Sequence, residues 1–140
     1  MSGISWTICI ILICLLTYVI YINLKKKSPL TWIPSTDIPG AQYAFLYKDP
    51  KTKNFIMLES TPPHSQSPPH SFGSEIHGKI VSGEMNLGSA NTFTKEGTLN
   101  QLDGTDFRLP SNKVHYAWTG DKPALALTYG SDYDQLWSSK

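Results

Sequence analysis

Apolar residues follow two different patterns along this chain, and the change comes at Lys25. From Ile4 to Leu24, 21 residues pass without an Asp, Glu, Lys, Arg or His. As a helix rising about 1.5 Å per residue, that run spans roughly 30 Å, the thickness of a bilayer's hydrocarbon core. Beyond it the apolar positions come in short runs with a period near two. Strands are predicted at Ala41–Tyr47, Asn54–Glu59, His77–Ser82, Glu84–Leu87, Asp106–Leu109, Val114–Thr119 and Ala124–Tyr129. Gly, Pro, Asn, Asp and Ser punctuate the gaps, as turns require. No stretch after Leu24 sustains a helical period for ten residues. This pattern predicts an all-β antiparallel sandwich or barrel behind one N-terminal transmembrane helix.

The divisions follow from the same reading. Residues 1–27 are the anchor with its basic flank. Residues 28–40 hold three prolines and a glycine and read as a linker that packs one aromatic, Trp32. Residues 41–130 form the β-domain, in which 91–101 reads as a long hairpin or loop. The tail, 131–140, carries Tyr133 and Trp137, which are expected to tuck against the sheets. A duplicated Pro-Pro-His-Ser, at 62–65 and again at 68–71, makes an extended loop with few backbone donors.

Charge decides what the apolar run is and which way it points. No charged side chain precedes it and no Ala-x-Ala-like site follows it, so a cleaved signal peptide is disfavoured. Ile8 and Ile13 precede Cys9 and Cys14, where a lipidated cysteine wants a small residue. Lys25, Lys26 and Lys27 all lie on the C-terminal flank, which places the domain on the cytoplasmic side of a single-pass membrane protein. Residues 28–140 carry nine basic and eleven acidic side chains and no further basic run, so nucleic acid is not an expected partner. Both cysteines fall inside the apolar run, which excludes a disulfide scaffold or a thiol enzyme. Phosphate-cradling Gly motifs and a Gly-x-Ser-x-Gly elbow are absent from the sequence.

Candidate chemistry rests on histidine. His64, His70, His77 and His115 all lie in the β-domain. Neutral imidazole is the commonest protein ligand of transition metals. Glu75 and His77, two apart, share one face of a strand. Two further patterns carry a resemblance. Gly104, Pro110, His115 and Thr119 stand at the spacing Gly-x5-Pro-x4-His-x3, with Asn112 at the turn. Upstream, Pro69-His70-Ser71-Phe72 is followed by Glu75, His77 and a Ser82-Gly83 turn.

These motifs resemble the cupin superfamily, and most nearly the cupin domain of zinc-binding anti-sigma factors and related domains of uncharacterised function. The resemblance covers about residues 32–130. It implies a jelly-roll β-barrel of two antiparallel sheets. It also implies a divalent transition metal (Zn, Fe, Mn or Ni) held by His70, Glu75, His77 and His115. Phe72 occupies the place of a second histidine and, like Met57, is expected to line the pocket; Tyr116 and Trp118 are expected to face away from it. A homodimer is a further expectation from the family. Two function classes stay open. One is a metal-dependent enzyme acting on a small polar organic substrate. The other is a non-catalytic metal- or ligand-sensing domain with a degenerate metal site, for which Phe72 speaks.

Overall fold

The computed structural model describes residues 30–136, so the apolar run at 4–24 and Trp137 lie outside the described residues. Eight strands follow in order: β1 (Ile33–Pro34), β2 (Gln42–Lys48), β3 (Phe55–Thr61), β4 (Ile76–Gly88), β5 (Leu99–Leu102), β6 (Asp106–Leu109), β7 (Tyr116–Trp118) and β8 (Ala124–Gly130). All pairings are antiparallel. One sheet runs β1-β2-β3-β8-β4-β6, and the other places β5 and β7 on the far half of β4.

The long strand β4 makes this arrangement. The sequence reads as two strands broken at Ser82-Gly83, but the chain runs through as one strand of 13 residues. A register shift between Ile80 and Ser82 bends it, and Gly83 adopts φ +84°. A Cβ there would sit 1.8 Å from the Pro123 carbonyl oxygen. Only glycine accommodates both the left-handed backbone and that approach. The first half of β4 therefore pairs β8 and β6, and the second half turns away to pair β5 and β7.

Alternation fills the interior. Phe55 and Met57 of β3, Ile76 and Ile80 of β4, and Ala124, Ala126 and Thr128 of β8 are buried. Between them, Ile56 and Val81 stay exposed, as a period of two requires. The core divides into two clusters. Phe55, Met57 and Ile76 meet Tyr133 and Leu136, which fold back from the C-terminal segment through a 3-10 turn at Tyr133–Gln135. Ile80, Met85, Phe107, Ala124 and Ala126 form the second. The Phe107 ring lies over Gly78, where a Cβ would come within 2.1 Å of it.

Two segments differ from expectation in an informative way. Residues 33–34 of the expected linker pair β2 as a short edge strand, while Trp32 stays 37% exposed. The Pro-Pro-His-Ser loop runs alongside β7 and extends the smaller sheet without a regular ladder. His64, Ser67 and His70 donate their N–H groups to the carbonyls of Gly120, Ala117 and His115. The prolines between them have no donor, so the edge is terminated rather than left open.

Candidate functional site

A cavity of about 640 Å³ lies between the two sheets and draws side chains from both core clusters. That volume is in the ordinary range for a small-molecule site. His70 and His115 meet at one wall. Their backbones form a reciprocal bridge, with His70 N–H to His115 O at 2.9 Å and His115 N–H to His70 O at 2.8 Å. The ring centroids are 4.5 Å apart, and Phe72 lies 5.0 Å from each. Asn112 reaches φ +56° in the turn just before this bridge, a backbone conformation Asn tolerates better than most residues.

Both imidazoles are held the same way. His115 Nδ1 lies 2.9 Å from the Lys113 carbonyl oxygen, and His70 Nδ1 lies 2.7 Å from that of Pro68. A nitrogen facing a carbonyl at that distance must carry the proton, so each ring donates from Nδ1 and leaves Nε2 for another partner. His115 Nε2 is buried and has none among the described residues. Burial holds the His115 imidazole down at about 4, the Lys113 carbonyl opposes that, and nearby His70 adds to it. The ring is neutral at pH 7. Trp118 Nε1 is the other buried side-chain atom without a partner among the described residues, and Trp118 lines the same cavity.

Glu75 and His77 stand elsewhere. Glu75 Oε1 accepts from His77 Nε2 at 2.8 Å, its other oxygen accepts from Arg108, and His77 stacks on Tyr129 with centroids 5.3 Å apart. Arg108 holds the Glu75 carboxyl below its usual range. The two residues do share a strand face, but it is the outer face, because Ile76, Gly78 and Ile80 take the inner one. So the structure brings His70 and His115 together and does not bring Glu75 and His77 to them. His64 lies outside the cavity too, 3.7 Å from Asp121.

Two Nε2 atoms are oriented as ligands commonly are, with Nδ1 tied to a carbonyl. A catalytic zinc site takes three protein ligands and a structural one four. Phe72, and not a third donor, packs against both rings, and among the described residues no three His, Cys, Asp or Glu are grouped to hold an ion. The described residues do not make a divalent-metal site.

Glu59 is the residue the histidine reading missed. It lines the cavity from β3, accepts a hydrogen bond from Thr128 Oγ1 at 3.3 Å, and burial pushes its carboxyl up to about 7. The signal was present: Glu59 shares its strand face with Phe55 and Met57, so an acid sits at a core position. Phe72 and Met57 line the cavity as well. Tyr116 does not; its hydroxyl donates to the Thr94 carbonyl at 2.9 Å. Trp118 was expected on Tyr116's side of the pocket wall and instead stands between the cavity and a smaller hollow bounded by Glu84 and Lys95, contributing to both. Trp118 is the last residue of β7, so its ring is not bound to the outer face.

No family model and no curated protein matches the chain. Solved structures do. The chain is similar to the polyketide cyclase RemF from Streptomyces resistomycificus at 16% identity and a TM-score of 0.63, over 73% of each chain. A cupin-like protein from Thermotoga maritima matches at 11% identity and a TM-score of 0.63, over 79% of this chain and 83% of that one. The DMSP lyase DddQ from Ruegeria pomeroyi matches at 16% identity and a TM-score of 0.60, over 74% of this chain and 57% of that one. The domain has the cupin fold.

Proposed function

We propose that this cupin-fold domain binds a small organic ligand in the cavity between its sheets, with a metal site that has degenerated to two histidines. One observation carries the reading: His115 lines a cavity of about 640 Å³, and its Nε2 is buried there without a partner among the described residues. A buried polar atom left unpaired costs about 1–3 kcal/mol. A ligand that hydrogen-bonds to it recovers part of that. Around this polar end the wall is mostly apolar, with Met57, Phe72, Met85 and Leu87 among its side chains. An apolar cavity with a few placed polar groups is the usual form of a small-molecule site. The solved structures of similar fold include a cyclase and lyases, which supports small-molecule chemistry without naming this chain's ligand. In this reading residues 4–24 tether the domain to the cytoplasmic face of a membrane; their uncharged length supports it.

The methionines provide the test. Of the three in the chain, Met57 and Met85 line the cavity and Met1 is terminal. Full-length protein labelled with 13C at the Met methyls is screened against small neutral fragments. Binding is expected to shift both Met57 and Met85, and His115→Gln to weaken it. A library in which no fragment shifts those two methyls contradicts the proposal.

A second reading, turnover of the ligand, is favoured by Glu59. A carboxyl that titrates near 7 in the same cavity as two imidazoles is suited to proton transfer. It predicts slow conversion of a bound fragment that stops in Glu59→Gln.

A further inference from the structure

Resting on the reading that the cavity holds an organic ligand, we infer that this ligand is a small organic cation, an alkylammonium, and not an organic anion. The ionisable groups among the described residues that line the cavity are Asp37, Tyr43, Glu59, His70 and His115; no Lys or Arg is among them. Two of these are carboxyls. Beside the two histidines, the side-chain donors that line the cavity are uncharged amides, hydroxyls and the Trp118 indole. The basic side chains near the domain's polar pairs, Lys79 and Arg108, are committed on the outer surface to Asp106 and Glu75.

An entering carboxylate or phosphate would leave water for a wall with two acids and no fixed positive charge, and nothing there repays its desolvation. An ammonium group meets the opposite situation. Glu59 lines the cavity and accepts a hydrogen bond from Thr128 on one oxygen, so it is placed to form a charge-assisted bond to an N–H donor. His115 Nε2, on a residue only 6% exposed, accepts a second. The rings of Tyr43 and Phe72 contribute to the same wall, and aromatic rings attract cations, whereas the Trp118 ring already has Lys95 Nζ over it at 4.9 Å. The rest of the apolar lining takes the hydrocarbon part.

The test is a matched set of three probes with one carbon skeleton: 4-phenylbutylamine, 4-phenylbutan-1-ol and 4-phenylbutyrate. Each is titrated into full-length protein, with the Met57 and Met85 methyls as site-specific reporters. The amine is expected to bind at least about tenfold more tightly than the alcohol, a factor modest against the attraction of two charges at about 4 Å in a partly buried site. The butyrate is expected to bind more weakly than either. Glu59→Gln should weaken the amine about tenfold and leave the alcohol nearly unchanged, and Asp37→Asn checks the second carboxyl should the first variant fold poorly. Butyrate binding as tight as the amine, or an amine affinity untouched by both variants, overturns the charge assignment. Alcohol binding without any preference for the amine overturns it while sparing the cavity reading. Silence of both methyls to all three probes overturns both.

Discussion

Glu59→Gln isolates the energetic consequence of an acid at a core position. In the folded protein burial raises the Glu59 carboxyl from 4.5 to about 7. Between those two values the folded state holds a proton that the unfolded chain has released. Stability therefore falls as pH rises through that window and stays reduced above it. At about 1.4 kcal/mol for each pH unit separating the two values, the penalty has an upper bound of about 3 kcal/mol. The cavity admits water to the carboxylate, so about 2 kcal/mol is the expected size. Gln keeps the shape and the bond from Thr128 but never ionises. Urea unfolding of full-length protein, followed by tryptophan fluorescence, should find the variant and the parent alike at pH 4.5. At pH 8 the variant should be more stable by about 2 kcal/mol, or about 10 °C in Tm for a domain of this size. Contributions from other titrating groups are common to both proteins and cancel in the difference. A stability difference that is the same at pH 4.5 and pH 8, or that favours the parent at pH 8, would refute the placement of Glu59.

Other residues give independent checks. His115, held neutral with its midpoint near 4, contributes stability at neutral pH that is lost as pH falls from 6.5 through 4; its NMR titration should show that midpoint and a proton on Nδ1 at pH 7, and His115→Gln should flatten the acid limb of the stability curve. Gly83→Ala meets both a left-handed backbone and the Pro123 carbonyl, and is expected to lose at least about 2 kcal/mol in urea unfolding. His77→Ala breaks only the outer-face contacts to Glu75 and Tyr129, so it should change stability by less than about 1 kcal/mol and leave ligand-induced shifts at Met57 and Met85 intact.

Much of the β-domain was legible because its strands obey a period of two. Asp106–Leu109 matches the observed strand end for end, and the strands beginning near residues 41, 54 and 124 agree within two residues at each end. Ser82-Gly83 misled because a glycine with a left-handed backbone serves a turn and a bend in a continuous strand equally well, and only the partner strands distinguish them. β5 was lost inside 91–101 because it is an edge strand of polar and exposed residues, with no buried face to impose a pattern. The site was legible in part. The histidine spacing marked His70 and His115, but it treated residue type as position. Lys79 shares a face with His77, and Ile76, Gly78 and Ile80 share the other. That alternation already set Glu75 and His77 on the solvent side. The same reading applied to Phe55, Met57 and Glu59 exposes the cavity-lining acid that a search for histidines passes over.

The central claim is that the His70–His115 end of the cavity serves an organic ligand and no longer assembles a metal centre. Zinc affinity of the tag-free full-length protein, measured in competition with a chromophoric chelator, tests it most directly, since zinc binds such donors more tightly than manganese or iron does. With two imidazoles and no third ligand among the described residues, no equivalent of zinc should be held at nanomolar free metal. One equivalent held there, and released by His115→Ala, would contradict the account.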